Sequence, residues 1–271
     1  MKRRALAPVV HALIYALVAL AATGPAAHAQ SPQVQTSEPG TIDPATEYAR
    51  CLALARSDPE AGFDRAGAWE GLGGGDAARH CAAVALLEMG EARPAARRLE
   101  LLAEQSRQRP EVRAGMLAQA AQGWLLDANP GRAVAALDSA LALLAPDAPA
   151  RVDLLIDRAV ALAEAANYRP AVDDLSAALA LDPRRVDALT LRASARRFLD
   201  DTAGARADID AALELDRFNP DALLERGILN RLAGDAAAAR DDWLAVVNIA
   251  PDSAAAELAR ANLARLDVDQ P

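Results

Sequence analysis

Three residues carry side chains that suit nucleophilic or metal chemistry. His80 directly precedes Cys81, and Cys51 lies 30 positions before that cysteine. A thiol beside an imidazole suggests a cysteine nucleophile with a histidine base. Adjacent residues on a helix point in different directions, however, so this pair is poorly placed for proton transfer. A zinc site usually takes four ligands, and three residues fall short of that number. The pattern therefore predicts no catalytic residue and no metal site.

The glycine-rich run GLGGG at 71–75 could suggest a loop that binds phosphate. Such loops follow a strand and continue into a Lys-Ser or Lys-Thr pair, and this run has neither. We interpret it as a connection between two helices. The many acidic residues are typical of solvated helix faces and helix caps. The sequence therefore predicts a protein that is not an enzyme and needs no cofactor.

The N-terminus has the three-part pattern of a secretory signal peptide at 1–29. It combines a basic start at 2–4, an apolar run at 5–22 and the small-residue motif Ala-His-Ala at 27–29. We expect cleavage after Ala29 and export to the periplasm of a Gram-negative cell. The alternative is that the apolar run stays in the membrane as an anchor, since it approaches spanning length.

Cleavage would make the chain more acidic. The net charge is −9, and the predicted signal peptide carries three bases and no acids, so the mature chain carries −12. Such a chain is repelled by a nucleic-acid backbone and by anionic lipid. We therefore expect a protein or peptide partner, with membrane contact only through an uncleaved signal segment.

Export also bears on Cys51 and Cys81, the two cysteines of the chain. An even number of cysteines in an oxidising compartment predicts a disulfide. This disulfide would tie the N-terminal helices to the first repeat. The alternative is that both cysteines are buried free thiols.

One phrase recurs at a fixed interval of 34 residues. It reads AVDDLSAALALDP at 171–183, and comparable phrases begin at Ala205 and Ala239. Going backwards at intervals of 38, the same column continues at Ala133 and Ala95, with the extra residues expected in connections between units. Self-similarity at a fixed period indicates stacked repeats.

The residue columns that accompany this phrase predict helical hairpins. Ala and Leu favour helix strongly, and the alternation of β-branched residues that marks strands is missing. Small residues recur twelve positions before the phrase and at its start, which lets two successive helices approach closely. A large apolar residue four positions further lies on the same helix face. One hairpin cannot bury its apolar face alone, so the units must stack.

In these features the chain resembles the tetratricopeptide repeat (TPR) family. That family's unit is a 34-residue helical hairpin with a small residue in each helix and a closing proline. The resemblance covers most of the mature chain, is most specific in the last three units, and implies an all-α, right-handed superhelical solenoid. The predicted divisions are a signal peptide at 1–29, a flexible linker at 30–43, an N-terminal helical pair at 44–75, five repeats at 76–109, 114–147, 152–185, 186–219 and 220–253, and a capping helix at 254–267.

A second pair of columns predicts ion pairs within the repeats. In each of the last three units an arginine precedes an aspartate by 16 residues. The second unit has Ala120 and Ala136 at these positions, and the first has Ala82 and Arg98, so neither has a pair. Joint presence and joint absence favour ion pairs that fix helix register, and the alternative is an arginine stripe for an anionic ligand. The predicted pairs are Arg158 with Asp174, Arg192 with Asp208, and Arg226 with Asp242.

The resemblance also implies a binding surface. TPR proteins bind a peptide or partner helix on a concave face lined by the first helix of each unit. In this chain that position gives an apolar groove flanked by arginine, which suits an amphipathic or extended segment with some acidic character. One TPR subgroup grips a C-terminal carboxylate with Lys, Asn and Arg, and this chain lacks the Lys and Asn. The alternative is that some groove residues only pack between units. The predicted groove residues are Ile156, Val160, Thr190, Ser194, Arg197, Leu224, Ile228 and Arg231.

The sequence thus predicts an exported, non-enzymatic scaffold of the cell envelope that binds a peptide or partner helix. One alternative is a cell-wall enzyme or a factor that modifies one. Another is a membrane-anchored assembly factor that keeps the segment at 5–22.

Overall fold

A computed structural model of the chain describes residues 43–268, and every regular element in this range is an α-helix. The helices, numbered in chain order, are α1 (Pro44–Ser57), α2 (Pro59–Gly71), α3 (Gly75–Glu88), α4 (Ala92–Gln105), α5 (Pro110–Leu126), α6 (Pro130–Ala142), α7 (Arg151–Glu164), α8 (Tyr168–Leu181), α9 (Val186–Phe198), α10 (Thr202–Leu215), α11 (Pro220–Leu232), α12 (Ala236–Ile249) and α13 (Ala254–Val268). The predicted signal peptide and nearly all of the predicted linker lie outside the described residues. None of these thirteen helices is long and apolar enough to cross a membrane.

The helices form six successive hairpins, from α1–α2 to α11–α12, and α13 closes the stack. Each helix packs against the next one in the chain. First helices of neighbouring hairpins also meet, since α1 contacts α3, α5 contacts α7, α7 contacts α9, α9 contacts α11, and α11 contacts α13. The odd-numbered helices therefore form one layer of a solenoid and the even-numbered helices the other. We call the open surface of the odd-numbered layer the first-helix face.

Local sequence explains where the helices begin. The Asp58 side chain accepts a hydrogen bond from the Ala61 amide, and Pro59 occupies the first turn of α2. Asn219 caps α11 in the same way, again followed by a proline, Pro220. These capping oxygens satisfy amides that have no partner within the helix, and proline needs no such partner.

The turn inside each repeat contains one residue with a left-handed backbone. The φ angles are +78° at Gly90, +54° at Ala128, +60° at Ala166, +62° at Asp200 and +87° at Gly234. These residues occupy the same position of the five units. Only glycine adopts this conformation without strain, so the three units with another residue there are less favourable at this turn.

The repeating small and large residues form the core between the layers. The alanines at the start of the recurring phrase are at most 1% exposed, and the large residues four positions later are buried to the same degree. Gly227 replaces alanine where the large residue is Trp243, because a Cβ at Gly227 would lie 2.4 Å from the indole nitrogen. The Trp243 nitrogen instead donates a hydrogen bond to the Leu224 carbonyl at 3.2 Å. Residue size is thus matched across the two helices of a hairpin.

Each 38-residue interval contains four residues more than the 34-residue repeat, and the two sets of extra residues lie in different kinds of structure. Four of them, 110–113, lengthen α5 at its N-terminus, so this helix has 17 residues where the other repeat helices have 13 or 14. The expectation that extra residues sit in connections is wrong for this segment, because Pro110 starts a helix favourably. The later four residues do lie in the connection between α6 and α7.

The N-terminal pair α1–α2 stacks onto the repeats as one more hairpin. Both helices pack against α3. A disulfide joins Cys51 of α1 to Cys81 of α3, and both residues are fully buried. This is the disulfide that the sequence predicts, and it leaves neither sulfur available as a nucleophile or metal ligand.

Candidate functional site

The structure brings together each arginine and aspartate of the 16-residue columns. Arg158 of α7 grips Asp174 of α8 through Nε and Nη2, both at 2.7 Å. Arg192 and Asp208 join α9 to α10 in the same two-bond manner, at 2.9 and 2.7 Å. Side chains of the aspartates are between 5% and 11% exposed, while those of the arginines are 17–36% exposed, so each charge-assisted pair joins a nearly buried carboxylate to a partly exposed guanidinium. The third pair, Arg226 with Asp242, joins α11 to α12.

Arg158 and Arg192 also reach the preceding hairpin. The remaining guanidinium nitrogen of Arg158 donates to Asp138 of α6 at 2.6 Å, and that of Arg192 donates to Ser176 of α8 at 3.1 Å. One side chain thus fixes the two helices of its own hairpin and the previous one. Such guanidinium groups are already occupied and do not form a free stripe for an anionic ligand.

Most of the predicted groove residues lie in the core. Ile156, Val160 and Leu224 are 3%, 7% and 3% exposed, and Thr190 and Ser194 are 9% exposed. Ile156, Val160 and Leu224 belong to the main hydrophobic cluster of the solenoid. Their burial favours packing between units, the alternative interpretation of the sequence. The remaining apolar member, Ile228, is half-buried against the same core.

The two arginines that the sequence predicts beside the groove are Arg197 and Arg231. Arg197 of α9 forms an ion pair with Glu225 of α11, with 3.2 Å between Nη2 and Oε2, and its guanidinium lies 4.5 Å from the Phe198 ring centre. Both partners of the pair are largely buried, at 16% and 8% side-chain exposure. Arg231 is half-buried. Because Glu225 neutralises Arg197, this part of the face does not present the free positive charge that an acidic partner requires.

An open cleft lies instead at the N-terminal end of the first-helix face. A chain of hydrogen bonds crosses three first helices there: Tyr48 of α1 lies 2.8 Å from His80 Nδ1, and His80 Nε2 lies 2.7 Å from Gln119 Oε1 of α5. Since the amide oxygen only accepts, Nε2 carries the proton and Nδ1 accepts from the tyrosine hydroxyl. Burial lowers the pKa of His80, which keeps the imidazole neutral in this tautomer.

The cleft has a volume of about 370 Å³ and mixed polar and apolar walls. Met116 forms a buried floor, while Val112 is 37% exposed at the rim. Gly115 lies in the wall and leaves space there, because a Cβ at this position would meet no atom within 4 Å. Within residues 43–268, no hydrogen bond occupies the amide nitrogen of Gln119. The lining residues are Tyr48, Asp76, Ala77, His80, Gln108, Val112, Gly115, Met116 and Gln119.

Further along the same face, the first helices carry aspartates in place of neutral polar groups. Arg185 lies between Asp153 of α7 and Asp187 of α9, with 2.6 Å to a carboxylate oxygen of each. Asp157 lies one turn beyond Asp153, and its burial, with the negative charges of Asp153 and Asp187, raises the pKa of Asp157 to about 7. Burial also raises the pKa of Asp221 on α11. Among residues 43–268, Arg185 is the base that pairs with Asp153 and Asp187, and no ion pair reaches Asp157 or Asp221.

Sequence reasoning missed the cleft because no repeated pattern marks it. Tyr48 belongs to the segment that does not match the repeat, and Val112 lies in the helical extension that the repeat boundaries omit. Gly115, an exposed glycine inside a long helix, was the available signal, because glycine there costs stability and calls for a reason. The acidic residues do follow a repeated pattern, since Asp153, Asp187 and Asp221 are 34 residues apart.

Fold and surface together define a helical-repeat solenoid with a cleft on its first-helix face. No protein-family model and no curated protein sequence matches this chain. Solved structures do, and they give it the tetratricopeptide repeat fold. MamA from residue 41 to its end, from Desulfovibrio magneticus RS-1, is 20% identical with a TM-score of 0.52, over 62% of this chain and 90% of that one. YrrB, a TPR protein with an unusual peptide-binding site, is 16% identical with a TM-score of 0.50, over 69% of this chain and 91% of that one. At identities this low, the similarity shows a shared fold and nothing more.

Proposed function

We propose that this protein is a non-enzymatic scaffold that binds an extended segment of a partner protein on its first-helix face. The observation that carries the proposal is the open cleft over Gly115, bordered by the free amide of Gln119 and the exposed Gln108. The Gln119 side chain has its N–H donors free, and Gln108 offers both N–H donors and a carbonyl acceptor, which together suit the C=O and N–H groups of a peptide backbone. The partly exposed Val112 and the buried Met116 would contact the side chains of such a segment.

The peptide-binding site of YrrB supports the proposal, since that protein has the same fold. We place the protein in the cell envelope, on the signal-peptide pattern at 1–29. Intact-mass measurement of the exported protein tests this location, because a mature N-terminus at Gln30 requires cleavage after Ala29. An intact N-terminus would favour the anchored alternative.

Binding in the cleft is testable with a glycine pair. A Cβ would meet no atom within 4 Å at Gly115, which lines the cleft, or at Gly67 of α2, which does not line it. We therefore expect phenylalanine at Gly115 to fill the cleft and phenylalanine at Gly67 to leave it open. Both changes replace an interior helical glycine, so both variants should keep or raise the free energy of unfolding. Peptides selected from a random twelve-residue display library on the mature protein should lose binding to Gly115→Phe and keep it for Gly67→Phe. Equal binding to both variants would place the site elsewhere.

A further inference from the structure

We infer that Asp153, Asp157 and Asp187 form a receptor for a lysine or arginine side chain, so that the segment bound along the first-helix face is cationic. The inference rests on the proposed function and specifies the chemistry of the partner. It differs from the expectation of an acidic partner, which depended in part on Arg197, whose guanidinium the structure pairs with Glu225.

The site already binds one guanidinium, that of the chain itself. Arg185 donates through Nη1 to Asp153 at 2.6 Å, and through Nε and Nη2 to Asp187 at 3.0 and 2.6 Å. This fork-shaped contact shows that the carboxylates of α7 and α9 are oriented for a planar cation. Asp157 also interacts electrostatically with Arg185. Three carboxylates therefore share one guanidinium, and the cluster keeps a net negative charge.

Asp157 is the group that a further cation would satisfy. Among the described residues, no hydrogen bond or ion pair reaches its carboxylate. The charged groups that act on it are Asp153 from its own helix, and Arg185 and Asp187 from the start of α9. Their balance is repulsive, and burial adds to it, which is why the pKa of this carboxyl rises to about 7. Part of the residue stays open to solvent, so an entering ammonium or guanidinium can reach it.

The acidic character continues along the path that a bound segment would follow. α5 contacts α7, α7 contacts α9, and α9 contacts α11, so the cleft and the aspartates share one continuous layer of helices. Asp221 begins α11 at the same repeat position as Asp153 and Asp187. Within residues 43–268, no hydrogen bond compensates the Asp221 carboxylate, whose pKa burial also raises. A segment that enters at the cleft would therefore pass two carboxylates that lack partners.

Labelled nine-residue peptides test this directly. Four peptides share a Gly-Gln-Ala background and contain two arginines, two lysines, two glutamates or no charge. The arginine and lysine peptides should bind at least tenfold more tightly than the other two at physiological salt. Asp157→Asn should weaken their binding at least fivefold. Asp173→Asn, the same change at an exposed position of α8, should have little effect.

Proton release separates this receptor from general attraction to an acidic protein. A cation favours ionised Asp157, so binding at pH 6.5–7 should release protons, measured by calorimetry in buffers of different ionisation enthalpy. Asp157→Asn should abolish that release. Equal losses in Asp157→Asn and Asp173→Asn, no preference for cationic peptides, or no proton release would each overturn the receptor.

The two proposals fail in different ways. Library peptides that lose binding to Gly115→Phe but show no charge preference would leave the scaffold standing and reject the receptor. Cationic peptides that depend on Asp157 but ignore Gly115→Phe would support the receptor and reject the cleft. Self-association of the chain that Asp157→Asn abolishes, with no binding of the cationic peptides, would assign the face to a second copy and reject both.

Discussion

Arg192 and Asp208 are joined by two parallel hydrogen bonds of 2.9 and 2.7 Å across one hairpin, while the third guanidinium nitrogen reaches Ser176 of the hairpin before. A single arginine therefore sets the register within a unit and between units. Arg158 has the same arrangement with Asp174 and Asp138. The solenoid thus contains a ladder of buried ion pairs that its first two repeats lack.

The Arg158–Asp174 pair should show strong energetic coupling. Arg158→Ala alone leaves Asp174 buried with no cation, and we expect a loss of about 2–4 kcal/mol in the free energy of unfolding. Adding Asp174→Ala should recover much of that loss, since the second repeat already has Ala120 with Ala136. Denaturant unfolding of both single variants and the double variant measures the coupling. Additive effects would mean that the two residues do not interact.

Arg192 offers an internal comparison. Asp208 also accepts a hydrogen bond from Arg196 at 2.8 Å, so a second cation remains when Arg192 is removed. Arg192→Ala should therefore destabilise less than Arg158→Ala. An equal or larger loss would show that contact with Ser176, rather than charge compensation, dominates.

The match of Gly227 with Trp243 should behave as a size-compensated pair. Gly227→Ala places a methyl group against the indole and should cost about 1–3 kcal/mol, although alanine favours helix. Adding Trp243→Leu should remove the overlap and recover stability, because other units combine alanine with leucine at these positions. Thermal unfolding of both variants checks this, and a more stable Gly227→Ala variant would contradict it.

The helical repeats were predictable because every unit has the same pattern of small and large residues. Small residues at one spacing and large residues at another define a close helical hairpin, and five copies remove the ambiguity of one. The ion pairs were visible for the same reason, since Arg158, Arg192 and Arg226 and their aspartates change together. The second repeat strengthened this prediction, because alanine replaces both partners of the ion pair there.

The cleft on the first-helix face was not predictable in this way. A first helix uses neighbouring positions for the core and for the open face, and Ile156 and Leu224 are apolar because they are buried. The cleft depends on Tyr48, His80 and Gln119, which come from three helices with no shared repeat pattern. Only the packing of α1 onto α3 brings the tyrosine to the histidine, and this segment does not match the repeat.

The turn at Ala166 should gain stability from glycine. Its φ of +60° strains any residue with a Cβ, so Ala166→Gly should raise the free energy of unfolding by about 0.5–1 kcal/mol. Ala165→Gly is the matched control, because Ala165 has φ −78° and gains nothing from glycine. Chemical denaturation should show opposite signs for the two variants, and two losses would refute the strain.

Loss of the disulfide should loosen one end of the solenoid. The bond closes a loop of 30 residues between α1 and α3, which stabilises by about 3–4 kcal/mol in the chain-entropy model. In Cys51→Ser, hydrogen exchange should accelerate across 44–75 and leave 152–253 protected, because repeat stability is local. Since α1 carries Tyr48, the same variant should also weaken peptide binding at the cleft. Uniform acceleration along the chain would contradict local coupling.

The charge of Asp157 should make stability fall as pH rises. Burial and neighbouring carboxylates hold the folded-state pKa near 7, above the ordinary value of 3.8. The folded state therefore retains a proton that the unfolded state releases, so the stabilisation present below pH 3.8 is lost progressively up to about pH 7. Asp157→Asn removes the titration. After allowance for solvent screening, the variant should exceed the wild type by about 1–2 kcal/mol at pH 8.

The comparison must be a difference between the two proteins at each pH. Burial lowers the pKa of His80, so acidification below about 6.5 favours unfolding through this residue and opposes the effect of Asp157. Both proteins retain His80, and its contribution cancels in the difference. Thermal unfolding across the range from pH 4 to pH 9 should therefore show a gap that grows up to about pH 7 and then levels off. A gap independent of pH, or a wild type more stable than Asp157→Asn at pH 8, would mean that the carboxylate has a compensating cation in the free protein.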